Sequence, residues 1–131
     1  MISNITEINK DTFWELIAQA KARCGQDTDA SAKWVEGELL RMGPEQAQNF
    51  DLIMHGYLAL AYKYGLWTAA SVMLGGCSDD GFMDFRGWLI AQGKDVYLAA
   101  LKNPDSLADI PVYGDGCFES LAYICLLYTS D

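Results

Sequence analysis

Apolar positions recur at three- and four-residue spacing almost from the start of the chain. Phe13, Leu16, Ile17, Ala20 and Cys24 share one face of a 3.6-residue repeat, which predicts an amphipathic helix. Its start is read at the capping box Thr12-Phe13-Trp14-Glu15 and its stop at Gly25. Asp27, Thr28 and Asp29 offer caps for a second helix carrying Trp34, Val35, Leu39 and Met42, closed by Gly43-Pro44. Pro44 also suits the first position of a third helix, with Phe50, Ile53, Met54, Tyr57, Ala61 and Tyr64 on one side. This helix is expected to run about five turns to Gly65. Gly56 inside it costs roughly 1 kcal/mol relative to alanine, so a close helix crossing is expected there.

Residues 66–74 are nearly all apolar and predict a short buried helix, ended by Gly75-Gly76. Ser78, Asp79 or Asp80 then caps a fifth helix that buries Phe82, Phe85, Trp88 and Leu89 and stops at Gly93. A sixth runs from Lys94 or Asp95 through Val96, Tyr97, Ala100 and Leu101 to Asn103-Pro104. Residues 105–111 hold one or two turns at most, 112–116 read as a loop, and a further helical start lies at Phe118. Strand-like alternation and internal repeats are nearly absent and the connections are short. The pattern predicts an all-α, single-domain orthogonal bundle of about six to seven helices. The expected division is an N-terminal tail over 1–10 and one domain over 11–124.

Composition adds that 131 residues with 51% hydrophobic content can close a single core without a disulfide or metal staple. Trp14, Trp34, Trp67 and Trp88, with Tyr57, Tyr62 and Tyr64, are expected mostly in that core. No apolar run approaches the roughly 18 residues of a spanning helix, so no membrane partner is expected. The first residues lack a basic stretch followed by an apolar one, and a cytoplasmic location is the expectation. Eighteen acidic against nine basic residues give a formal charge of -9, which repels phosphate and argues against nucleic acid. A basic protein or a small molecule suits it better, although acidity also serves solubility alone. Cys24, Cys77, Cys117 and Cys125 form no C-x-x-C pair and read as reduced, mostly buried thiols. No cofactor is predicted.

The last seven residues, 125–131, form an apolar, β-leaning run that breaks the helix begun at Phe118. One reading frame of a transposase-end adapter used in short-read library construction translates to this same heptapeptide. We therefore expect the native gene to be interrupted near Ile124, with 125–131 as adapter read-through. Genomic DNA encoding the heptapeptide at this place would refute that expectation.

The chemistry concentrates between Gly75 and Leu89. Asp79, Asp80 and Asp84 could hold a hard cation, and Asp80 and Asp84 fall one helical turn apart. Equally, Ser78 and one aspartate cap the helix while the other carboxylates complement its dipole, and this is the favoured reading. The spacing is not that of an EF-hand loop. Arg86 lies close to the apolar stripe and, if buried, needs a carboxylate or a ligand anion, with Asp79 or Asp51 as the natural partner. A structural ion pair is favoured over substrate binding. Asp51 precedes His55, the single histidine, by four residues, which is the start of an acid/base device or a satisfied interhelix pair. Cys77, just before a helix N-terminus, is either a dipole-activated thiolate or, as favoured, a small buried side chain. The candidate polar cluster is thus Ser78, Asp79, Asp80, Asp84, Arg86, Asp51, His55 and Cys77.

With Gly76-Cys77-Ser78-Asp79-Asp80-Gly81-Phe82 and Phe85-Arg86-Gly87-Trp88-Leu89-Ile90, the chain resembles the bacterial domain-of-unknown-function family 4240. Phe13-Trp14-Glu15-Leu16-Ile17, Leu66-Trp67 with Ala69-Ala70, and Asn103-Pro104-Asp105-Ser106-Leu107-Ala108 support the resemblance, which spans about Asp11 to Ala122. The charged or aromatic-rich continuation of that family beyond the position of Tyr123 is not seen here. The resemblance implies a fold and a site location and names no substrate. The expected function is a small acidic binding or regulatory module, of immunity or adaptor type. The alternative is a small hydrolase or ligand-processing enzyme using the acidic cluster, with or without a divalent metal.

Overall fold

The computed structural model describes residues 4–25 and 27–109, and within that span six α-helices and a short 3₁₀-helix succeed one another. They are α1 (Lys10–Cys24), α2 (Thr28–Met42), α3 (Pro44–Leu60), α4 (Tyr64–Leu74), α5 (Asp79–Ala91) and α6 (Lys94–Lys102), followed by the 3₁₀-helix Pro104–Asp109. No strand occurs among the described residues, and the fold is an all-α bundle. None of the described helices is long and apolar enough to cross a membrane.

Helix α5 is the central element. It packs against α1, α3, α4 and α6, and it buries Phe82, Phe85, Arg86, Gly87, Trp88, Leu89 and Ile90. Two aromatic groups flank it. Phe13 and Trp14 of α1 meet Phe50 and Tyr57 of α3, and Trp14 and Tyr57 also meet Tyr97 of α6. On the α4 side Trp67 stacks on Phe82 at 4.9 Å between ring centroids, with Tyr62 edge-on to Trp67. Burying rings of this size supplies much of the hydrophobic driving force, and their offset geometries fix how the helices lie on α5.

Caps and terminal side chains define where elements begin and end. Ser78 caps α5 and Asp27 caps α2, in keeping with the sequence. Helix α1, however, starts earlier than expected. Asn9 is the cap and Thr12 its reciprocal partner: Asn9 Oδ1 accepts from Thr12 N at 3.0 Å and Thr12 Oγ1 accepts from Asn9 N at 2.8 Å. The hydroxyl read as a cap is the return arm of a box one turn earlier. The segment read as a tail also packs, since Ile5 and Ile8 are buried. Its backbone is tied down by Gln46 Oε1, which accepts from Ile8 N at 2.7 Å, and by Arg41, which donates to the Ile5 carbonyl at 2.8 Å.

The largest departure lies in α3, which stops at Leu60 rather than continuing to Gly65. No glycine ends it. Lys63 turns extended at the N-terminal boundary of α4, and two carbonyls of the last turn of α3 gain tertiary donors: Tyr97 Oη reaches the Tyr57 carbonyl at 2.5 Å, and Arg86 reaches that of Leu58 at 2.6 Å. Satisfying those carbonyls from α5 and α6 stabilises an end that local sequence does not announce. The close approach expected at Gly56 is found at Gly65, where an added Cβ would stand 3.2 Å from Pro104 Cγ, while Gly56 is exposed with no such neighbour. Helix α4 is not buried all round, because Leu66 and Ala70 face inward while Val72 is exposed. Tyr64, read as core, is 91% exposed. The loop at 112–116, the helix start at Phe118, Cys117, Cys125 and the heptapeptide 125–131 lie outside the described residues.

Candidate functional site

The site forms where α4 reverses into α5. Gly75 and Gly76 take φ of 73° and 125°, conformations that strain residues with a Cβ, and so return the chain toward α5. Ser78 then accepts the Gly81 N–H on its Oγ at 3.1 Å. Asp79 and Asp80 occupy the exposed first turn of α5, where carboxylates complement the positive end of the helix dipole. Asp79 has a second task, accepting from the Tyr62 hydroxyl at 3.2 Å. Partial burial, then that carboxylate, raises the pKa of Tyr62.

Cys77 is half-buried, and its carbonyl accepts from Trp67 Nε1 at 2.8 Å. Burial foremost, and then the nearby Asp84 carboxylate, push its thiol pKa upward. These influences oppose the thiolate that a helix N-terminus would favour.

Arg86 is 7% exposed and makes no carboxylate ion pair with any described residue. This corrects the expected pairing with Asp79 or Asp51. Its Nη1 donates to the Leu58 carbonyl at 2.6 Å and its Nε to the Phe82 carbonyl at 3.4 Å. The rings of Tyr62 and Phe82 lie 4.8 and 4.9 Å from its Cζ. Burial lowers its pKa, with Tyr62 and Asp79 opposing that shift. Two carbonyls and two aromatic faces thus take the place of a counter-ion, and Tyr62 links the cation to Asp79 indirectly.

Asp51 and His55 pair with each other, Nδ1 to Oδ1 at 3.0 Å, on the outer side of α3. No hydrogen bond or ring contact among the described residues joins this pair to the α5 cluster. Nor do Asp79, Asp80 and Asp84 gather: no three His, Cys, Asp or Glu among the described residues are grouped to hold a metal. An open pocket of about 300 Å³ between α4 and the 3₁₀-helix, lined by Gly65, Thr68, Ala69, Met73, Pro104 and Leu107 among others, includes none of the candidate residues.

Sequence reasoning missed Tyr62, Trp67 and the Leu58 carbonyl. The spacing places Tyr62 in the core, whereas it is half-exposed, and its role depends on α3 ending one turn early. Glu38 was missed too; it is 5% exposed and paired with Arg41 at 3.0 Å, an i,i+3 relation that the spacing could have revealed.

The family described as Protein of unknown function (DUF4240) matches residues 8–128, nearly the whole chain, and the chain belongs to that family. No curated protein and no solved structure matches it.

Proposed function

We propose that the protein is a small, non-catalytic binding or regulatory module of the cytoplasm that recognises a basic protein partner. One observation carries this reading: the polar residues at the start of α5 have structural tasks. Ser78 caps the helix, Asp79 holds Tyr62, and Arg86 satisfies carbonyls at the end of α3 and the start of α5. Catalysis needs an acid, base or nucleophile poised against a substrate. The pair that most resembles such a device, Asp51 and His55, stands apart on α3. The formal charge of -9 favours a cationic partner through long-range attraction.

Three measurements test the reading. Affinity capture of the tagged protein at native expression is expected to recover a specific protein, lost on raising the salt concentration. Turnover across a hydrolase panel, or a divalent-metal-dependent rise in melting temperature abolished by Asp80→Asn, would replace this reading with the enzyme alternative.

A further inference from the structure

Among the described residues, nothing in the packing of α3 requires glycine at position 56. Its φ is not positive, and apart from the backbone of its own helix no atom of the described residues lies within 4 Å of the place where a Cβ would stand, so neither conformation nor packing among them calls for glycine. The helix nevertheless bears the propensity cost of roughly 1 kcal/mol. One turn to either side on the same face, Leu52 and Leu60 are 70% and 58% exposed. Two projecting leucines with a flat, backbone-level floor between them form a notch into which another helix can pack closely.

The carboxylates of α3 outnumber its lysines and arginines. Helix α3 carries Glu45 and Asp51, the latter paired with His55, and no lysine or arginine, and Asp79 and Asp80 are exposed at the start of α5, to which Tyr62 links the end of α3. Lys63 is a nearby cation. A second copy of the chain, with the same formal charge of -9, would repel the first. Resting on the binding-module reading, we infer that the outer face of α3, centred on Leu52, Gly56 and Leu60, is a docking surface for a basic amphipathic helix of another protein.

The probe is a helical Leu/Lys amphipathic peptide, with its Leu/Glu counterpart as control, titrated into the full chain while backbone amide shifts are followed. Saturable binding of the Leu/Lys peptide is expected, with shifts centred on 52–60. The double variant Leu52→Ser, Leu60→Ser should weaken it roughly tenfold or more, whereas Val72→Ser on α4 should not. Circular dichroism of each variant checks that the fold is retained. Equal binding of the Leu/Glu peptide, equal loss in Val72→Ser, no binding at all, or self-association abolished by the double variant would each overturn the inference. The module reading fails separately, through turnover or through absence of a captured partner. A captured partner cross-linking away from α3 would overturn only the docking face.

Discussion

Arg86 Nη1 donates to the carbonyl of Leu58 at 2.6 Å, joining the middle of α5 to the last turn of α3. The bond brings a buried cation to the negative end of a helix dipole, where a carbonyl can stand in for a carboxylate. It also accounts for the stop of α3 at Leu60, because the released carbonyl finds its donor across the core.

Replacing this arginine tests that role. Arg86→Ala would leave the Leu58 carbonyl without its donor and remove a stem packed under Tyr62 and Phe82, with a loss of about 2–4 kcal/mol. Arg86→Met should lose less, because it keeps the stem and removes the cost of burying a charge. Urea unfolding of both variants measures the order, and equal losses would show that the hydrogen bonds of the guanidinium, and not the packing of its stem, are at stake.

Ser78→Ala removes the acceptor for the Gly81 N–H and should cost about 1 kcal/mol, whereas Ser78→Asp, another good cap, should stay within a few tenths of the parent. If Ser78 were instead a ligand group, thermal stability would be unchanged in both variants.

Tyr97 supplies a pH dependence. Burial raises the pKa of its hydroxyl above the ordinary value near 10. Above pH 10 the unfolded chain releases this proton more readily than the folded one, so the unfolded state binds fewer protons and stability falls as pH rises. The contribution is complete below pH 10 and is lost progressively above it. Tyr97→Phe should flatten that alkaline decline in chemical unfolding. At neutral pH it should lose only about 1 kcal/mol, since the Tyr57 carbonyl retains the Ala61 N–H.

Gly56→Ala should stabilise the isolated protein by up to about 1 kcal/mol, because its Cβ enters open space on a helix. Gly65→Ala, whose Cβ would stand 3.2 Å from Pro104 Cγ, should give less or reverse sign. Melting temperatures of the two variants decide between an open and a crowded helix face.

The cysteine at the head of α5 should react slowly. Burial and Asp84 raise the pKa of the Cys77 thiol, so labelling at neutral pH by a thiol reagent should run slower than for a small-molecule thiol. Labelling faster than that reference would mean that the helix dipole, and not burial, governs the group.

The helical class, most helix starts and the inward faces of α1, α2, α5 and α6 are legible along the chain. Those features depend on local causes: periodic apolar residues, caps such as Ser78 and Asp27, and the glycine stops at Gly25, Gly43 and Gly75. The tertiary structure decided the end of α3, the partners of Arg86, the exposure of Tyr62 and Tyr64, and the place of close helix approach. Each of these turns on a contact between residues far apart in the chain. A carbonyl left open at Leu58 is costly unless a donor 28 residues away reaches it. No periodicity along α3 reveals that donor, and none reveals that Gly65, not Gly56, meets Pro104 within the fold. The polar stretch from Gly75 to Arg86 was therefore visible as a place, while its division into cap, ring clamp and carbonyl ligand arose only when α3, α4 and α5 came together.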